Sequence, residues 1–353
     1  MKIAITADLH LTSRYQHPER FQTLENIFIS LAQNKVDTLI IAGDLFDSSL
    51  KNPTEFEALC QQERFHDLNL FLIPGNHDPT ISDADFTLPN LRVISEPGIV
   101  SLDEDAYPFL FIPYQEHKTM GEILANFHDR LTPDRWNLVG HGDWSSLLQP
   151  NAYEPGVYMP LTRADIDTYR PAAVFLGHIH SPLDHPPVYY PGSPCGLNIT
   201  ETGKRRILLY DTEDRQVEAL TVDNPVIYFN ETLLIVPVAD ESKYLREEVR
   251  KRIRSWDLGP GDKDKVLLRV NVKGFSADRS RLMALLKEEF KDYAFHDSGD
   301  PDLTSVSISE DSELNTMAAS VKDRIMALKW PSNSEEPSKD EIIFDALKVI
   351  YGE

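Results

Sequence analysis

Thr38-Leu39-Ile40-Ile41-Ala42-Gly43-Asp44 is an unbroken apolar run that stops on a glycine and then an aspartate. Apolar residues without alternation suit a strand covered on both faces, as in the parallel sheet of an α/β protein. A carboxylate straight after such a strand sits on a loop held by a rigid scaffold, where chemistry is usually carried. The same pattern recurs on either side. Residues 2–7 read as a strand and lead into Asp8-Leu9-His10, and 69–73 lead into Pro74-Gly75-Asn76-His77-Asp78. Residues 137–139 lead into Gly140-His141, and 172–176 into Gly177-His178-Ile179-His180. Residues 108–114, 189–191 and 207–210 read as further strands.

Helices fill the intervals. Pro18 stands at a first-turn position, and Phe21, Leu24, Ile27, Phe28 and Leu31 follow at helical spacing. Thr162-Arg163-Ala164-Asp165 has the spacing of a capped N-terminus. The reading is an α/β sandwich with its functional groups at strand ends.

The texture changes near residue 226. Leu245, Val249, Ile253 and Trp256 mark a helix, and Val266, Leu268, Val270 and Val272 a half-exposed strand closed by Lys273-Gly274. Leu282, Leu285, Leu286 and Phe290 mark a second helix, Val306 and Ile308 a second strand, and Met317, Val321 and Ile325 a third helix. This is a small α+β domain. Residues 331–337 read as a polar linker, after which Ser338-Lys339-Asp340-Glu341 caps a terminal helix. Its stripe of Ile342, Ile343, Ala346, Leu347 and Ile350 suits either a partner surface or the chain's own core. The expected domains are 1–228, 229–331 and 332–353.

The 353 residues exceed the usual single domain, and two cysteines, Cys60 and Cys195, do not make a disulfide framework. With no leader-like segment and no membrane-spanning run, the expected location is cytoplasmic. The net charge of −22 argues against a protein that grips nucleic acid over its whole surface. Residues 1–225 hold 16 Lys+Arg against 32 Asp+Glu, whereas 243–291 hold 14 against 8. That basic stretch, including Arg250, Lys251, Arg252 and Arg254, suits either phosphate contacts or a pair of solvated helix faces.

Aspartate oxygens, an amide oxygen and imidazoles together suit borderline divalent ions. Two such ions can clamp the attacking and leaving oxygens of a phosphoester. Asp8 and His10, two residues apart, point to one side of their strand end, as do His178 and His180. Asp44 is the natural bridge. Asp47, Asp78 and Asp143 suit either a supporting role behind the ligands or a turn cap, with support favoured for Asp78. His17, His66, His117, His128, His185 and His296 lie outside these motifs and read as surface or core residues.

Across residues 1–225 the chain resembles the calcineurin-like metallophosphoesterases, and among them it is most similar to the SbcD-type DNA repair nucleases. The residues that carry this are Ala7-Asp8-Leu9-His10-Leu11, Ala42-Gly43-Asp44-Leu45-Phe46-Asp47, Pro74-Gly75-Asn76-His77-Asp78, Leu176-Gly177-His178-Ile179-His180 and Tyr190-Pro191-Gly192-Ser193-Pro194 with the run to Glu201-Thr202-Gly203-Lys204. The resemblance implies a metallophosphoesterase-type αββα sandwich with a small capping domain that positions DNA. It also implies one ion held by Asp8, His10, Asp44 and His180, and another by Asp44, Asn76, His141 and His178. His77 would protonate the leaving oxygen rather than bind metal. Mn²⁺ is the expected ion, with Fe²⁺, Zn²⁺ or Mg²⁺ as alternatives.

The expected partners are DNA and an SbcC-type coiled-coil ATPase. After the cap, however, only a linker and one short helix remain to grip such an ATPase. A homodimer through a helix of the catalytic domain stays open. The expected activity is therefore a Mn²⁺-dependent DNA exonuclease or endonuclease. A small-molecule or cyclic-nucleotide phosphodiesterase or phosphatase with a lid domain is the alternative, and a non-enzymatic scaffold the third reading.

Overall fold

Thr38–Ala42 is a strand whose five residues are all buried. In the computed structural model, which describes residues 1–47, 53–103, 106–145, 156–238, 240–309, 311–329 and 337–352, the chain divides into two units. One is Met1–Leu197 with Lys204–Val226; the other is Asn198–Gly203 with Ile227–Glu353.

In chain order the first unit contains β1 (Lys2–Thr6), α1 (Pro18–Gln33), β2 (Thr38–Ala42), α2 (Pro53–Cys60), β3 (Asn69–Ile73), β4 (Leu91–Val93), β5 (Gly98–Val100) and β6 (Phe109–Ile112). It continues with α3 (Met120–Ala125), β7 (Asn137–His141), α4 (Arg163–Tyr169), β8 (Ala173–Gly177), β9 (Leu183–His185), β10 (Val188–Tyr190), β11 (Arg206–Asp211) and β12 (Val217–Thr221). The strands form two six-stranded sheets, ordered β12-β11-β1-β2-β3-β4 and β5-β6-β7-β8-β10-β9. β1, β2, β3 and β4 run parallel, as do β6, β7, β8 and β10. β11 pairs antiparallel with the other edge of β1, with Lys2 opposite Asp211.

Successive side chains of a strand point to opposite faces, and here each face has its own cover. Ile3, Ile5 and Ile40 meet Phe109, Phe111, Val139 and Phe175 between the sheets. Ala4, Leu39, Ile41, Leu70 and Leu72 turn outward onto Phe21, Leu24, Ile27, Phe28 and Leu31 of α1 and Phe56 and Leu59 of α2. Leu110, Leu138, Val174 and Leu176 turn outward onto Met120, Ile123 and Leu124 of α3. The result is the αββα sandwich expected from the sequence. Each large side chain of α1 taken out of water contributes roughly 1.5–3 kcal/mol. α4 starts on a reciprocal cap, Thr162 Oγ1 accepting from Asp165 N at 3.1 Å and Asp165 Oδ2 from Thr162 N at 2.8 Å.

The second unit contains β13 (Ile227–Ile235), α5 (Glu241–Ser255), β14 (Val266–Ser276), α6 (Arg279–Glu289), β15 (Ala294–Phe295), β16 (Asp302–Ile308), α7 (Ser312–Ala327) and α8 (Lys339–Tyr351). β14 pairs in parallel with β13, β15 and β16, so the mixed composition is organised as strand–helix–strand units. One sheet face packs on α5 and α6 through Phe229, Val249, Trp256, Val270, Leu286 and Phe290. On the other, Leu234, Val236 and Phe275 meet Ala318, Ile343 and Leu347.

The structure corrects two sequence expectations and decides a third that was open. β14 does not close at Lys273-Gly274 but runs on to Ser276, because Gly274 lies flat against β13, where an added Cβ would stand 2.1 Å from Ile235 O. The buried face of α7 includes Ala318, while Met317 is 54% exposed. Of the two uses open to the α8 stripe, packing on the chain's own core is the one seen: Ile343 and Leu347 are buried in this unit. Residues 331–336 of the expected linker lie outside the described residues.

Candidate metal centre

The C-terminal ends of β1, β2 and β3 in one sheet and of β7 and β8 in the other carry the motif residues. Asp8 and His10 follow β1, Asp44 follows β2, and Asn76, His77 and Asp78 follow β3. His141 ends β7, and His178 and His180 follow β8. Four of these residues have left-handed backbone: Asp8 (φ 55°), His10 (φ 46°), Asp44 (φ 52°) and His178 (φ 94°). Non-glycine residues in that region cluster where surrounding structure enforces a functional geometry. Gly43 (φ 93°) lets β2 approach His141 closely, since a Cβ there would stand 2.1 Å from His141 Nδ1.

The side chains converge. Asp44 Oδ2 lies 3.6 Å from His10 Nε2 and 3.3 Å from His141 Nε2, between the two groups of ligands. His10 Nε2 is 3.2 Å from His180 Nε2. Asn76 Oδ1 is 2.8 Å from His141 Nε2 and 3.1 Å from His178 Nδ1. Asp8, His10 and His180 present ligand atoms all within 4.8 Å of one another, as do Asp8, Asp44 and His141. Asp8 Oδ2 is buried with no hydrogen-bond partner among the described residues, a costly state that a cation would relieve. The donor set therefore fits hard or borderline divalent ions.

Backbone groups orient the ligands. His141 Nδ1 lies 2.8 Å from the Ala42 carbonyl, which assigns its proton there and turns Nε2 toward Asp44 and Asn76. His178 N donates to Asp8 Oδ1 at 2.9 Å, and His77 N to Asp44 Oδ1 at 2.8 Å. Asp78 accepts from Gly75 N at 2.8 Å and Phe46 N at 3.1 Å, tying the loop after β3 to the loop after β2.

The buried charges compensate one another, with the Asp44 carboxylate facing His141. Burial pushes the Asp8 carboxyl up to about 6 and the His10 imidazole down to about 3, which keeps that ring neutral for ligation. Burial would also raise Asp44, but His141 and then His10 outweigh it and hold the carboxyl below the usual carboxylate range. Burial opposes charge on His141, yet the Asp44 carboxylate prevails and raises that imidazole to about 10. Burial, followed by the Asp44 charge, pushes Asp78 up to about 6.

His77 stands with its ring centroid 4.6 Å from that of His10 and also shares a 4.8 Å cluster with His10 and Asp44. Distance alone would therefore admit it as a ligand. Asp143 is nearer the site than the sequence suggested: its Oδ1 is 3.7 Å from His178 Nε2, and its Oδ2 accepts from Tyr158 N. The signal available was its place two residues after His141.

Of the basic residues, Arg250 pairs with Glu289 at 3.2 Å, and Arg252 with Glu231 and Asp340 at 3.5 Å. Lys251 and Arg254 are exposed, and neither has an ion pair among the described residues. Among the described residues no helix is long and apolar enough to cross a membrane. Both cysteines are free and buried.

The family described as calcineurin-like phosphoesterase matches residues 1–182. The uncharacterized metallophosphoesterase YhaO of Bacillus subtilis is 26% identical over 56% of this chain and 54% of its own length. The D component of the SbcCD nuclease of Staphylococcus saprophyticus is 23% identical over 57% of this chain and 63% of its own. The DNA double-strand break repair protein Mre11 of Archaeoglobus fulgidus is 34% identical over 24% of this chain and 20% of its own. The chain thus matches less than two thirds of the length of each relative. Since the family match takes in every motif from Asp8 to His180 and more than half of the 353 residues, the chain belongs to the calcineurin-like phosphoesterases, as a metal-dependent member.

Proposed function

We propose that the chain is a Mn²⁺-dependent DNA nuclease of the SbcD type, cleaving phosphodiester bonds with two ions. The observation that carries a two-ion site is the place of Asp44 Oδ2, within 3.6 Å of His10 Nε2 and 3.3 Å of His141 Nε2. Asp8, His10, Asp44 and His180 would hold one ion, and Asp44, Asn76, His141 and His178 the other. When bound, the ions supply Lewis acidity toward the phosphoryl oxygens and a stronger water nucleophile. His77, fixed through its backbone on Asp44, delivers the proton to the leaving oxygen. Asp78 holds the loops that carry Asp44 and Asn76 in register.

DNA as substrate is supported by two relatives whose names describe a nuclease component and a DNA break repair protein. Lys251 and Arg254 are exposed for phosphate contacts, and Arg250 and Arg252 would exchange carboxylate partners for phosphates. An SbcC-type ATPase remains the proposed protein partner, through a surface other than Ile343 and Leu347.

Hydrolysis of end-labelled linear DNA with Mn²⁺, beside His77→Ala protein, tests the reading. Nucleotide release that disappears in the variant supports it. Intact DNA together with cleavage of a bis-aryl phosphodiester would favour a small-molecule phosphodiesterase. The 32 acidic against 16 basic residues in 1–225 speak for that second reading.

A further inference from the structure

The segment Tyr190-Pro191-Gly192-Ser193-Pro194 and the basic run after it belong to no ligand set, yet they lie directly behind one. Arg205, 4% exposed, donates from Nη2 to the His180 carbonyl and to Ser193 Oγ at 2.6 Å, and from Nε to Ser193 O at 2.8 Å. Ser193 N also donates to the His180 carbonyl at 3.1 Å. Gly192 (φ 76°) wraps so closely that a Cβ would stand 2.6 Å from the same oxygen.

Arg20 of α1, 6% exposed, does the same for the other histidine. Its Nη1 donates to the His10 carbonyl and lies 3.9 Å from Asp47 Oδ2. The two histidines held in this way are those whose Nε2 atoms meet at 3.2 Å.

We propose that Arg20 and Arg205 are positioning residues that lock the main chain of His10 and His180 and so set the ion subsite those two histidines serve more than the other. The inference rests on the two-ion reading above. Guanidinium keeps its charge at any relevant pH, and burying two such charges is unfavourable unless geometry compensates. Simple packing would be served by apolar side chains. Arg20 Nε has no hydrogen-bond partner among the described residues, so this arginine is not retained for complete internal pairing.

The other subsite has further supports, one of which, His178 N on Asp8, ties it to the first. His141 is oriented by the Ala42 carbonyl, and His178 by Asp8 through its backbone and by Asp143. The two arginines, by contrast, reach the carbonyls of His10 and His180, which both serve the first ion. Of the two histidines, His10 needs the lock more, since its backbone is left-handed at φ 46°.

The test is a Mn²⁺ titration by calorimetry with electron paramagnetic resonance on the full chain. It compares wild type, Arg20→Met, Arg205→Met, both Arg→Lys variants, Ser193→Ala, and Arg64→Gln as an exposed control. Each methionine variant is expected to bind one ion at least tenfold more weakly while the other is weakened clearly less. The spin-coupled signal of a manganese pair should give way to that of isolated Mn²⁺. Lysine, which keeps the charge on a single donor nitrogen, should recover part of the lost affinity, and Ser193→Ala should show a smaller loss of the same ion. Equal weakening of both ions, or of neither, would overturn the proposal. If a methionine variant fails to fold, unchanged binding in the lysine and Ser193→Ala proteins would overturn it equally. Wild type that takes up no Mn²⁺ would instead sink the two-ion reading and this inference with it.

Discussion

His77→Ala removes an imidazole and leaves Asp44 in place, whereas Asp44→Ala removes the carboxylate that faces both His10 and His141. The first protein is expected to keep both ions and lose about 10²–10⁴ in turnover, the usual worth of a general acid. The second should lose metal itself. Metal analysis beside hydrolysis of a bis-aryl phosphodiester separates them, and equal metal loss would make His77 a ligand. Metal affinity should also fall with acidity sooner than an ordinary carboxylate predicts. Protons compete for Asp8, whose carboxyl burial pushes up from 3.8 to about 6, and for the imidazole ligands over the same range. Titrations at pH 7.5, 6.5 and 5.5 should show affinity dropping through that window; a flat profile would contradict it. The ligands were legible in the sequence because each follows a buried strand and carries its own chemistry. Arg20 and Arg205 were not, since they act on carbonyls that only the folded chain brings near, while Asp143 was legible only as either a supporting residue or a turn cap.

At the scale of elements, α8 is part of the second unit's core. Leu347→Ala should cost about 2–5 kcal/mol of that unit's stability, because it opens a hole against Ile343 and Phe275. Urea denaturation followed through the tryptophan fluorescence of Trp256, which stacks on Phe229 at 4.2 Å, would report it. No change would mean the helix is dispensable there. α1, β2, β3 and β8 were readable because they are long enough or apolar enough for a period to emerge. The three-residue strands β4, β5 and β9 are too short for that, and their pairing is decided by neighbours. In the sequence Gly274 reads as a strand end because glycine usually punctuates; in the fold it serves close approach.

At the scale of the whole molecule, the −22 charge limits how much nucleic acid can be held. If Lys251 and Arg254 alone meet phosphates, log affinity for DNA should fall against log salt with a slope of about −2, and about −4 if Arg250 and Arg252 join. Fluorescence anisotropy with the His77→Ala protein measures the slope, and Lys251→Ala should reduce its magnitude by about 1. A slope near zero would remove these four residues from the interface. The sequence showed the basic excess but not that Arg246 and Arg250 share Glu289, since that pairing joins α5 to the end of α6.

The antiparallel pairing of β1 with β11 has a consequence for how the protein is made. β1 leaves the ribosome about 200 residues before β11, so at about 5–20 residues per second its open edge waits roughly 10–40 s for a partner. During synthesis that edge is the chain's exposure to misassembly. The 1–182 stretch that matches the family lacks β11 and β12 altogether. Residues 1–203, which keep every strand up to β10, should aggregate when expressed alone, whereas 1–226 should stay dispersed, and sedimentation of the two fragments would tell. Should 1–203 stay monomeric and folded, the late-arriving strand would be an ornament on the sheet and not its closure.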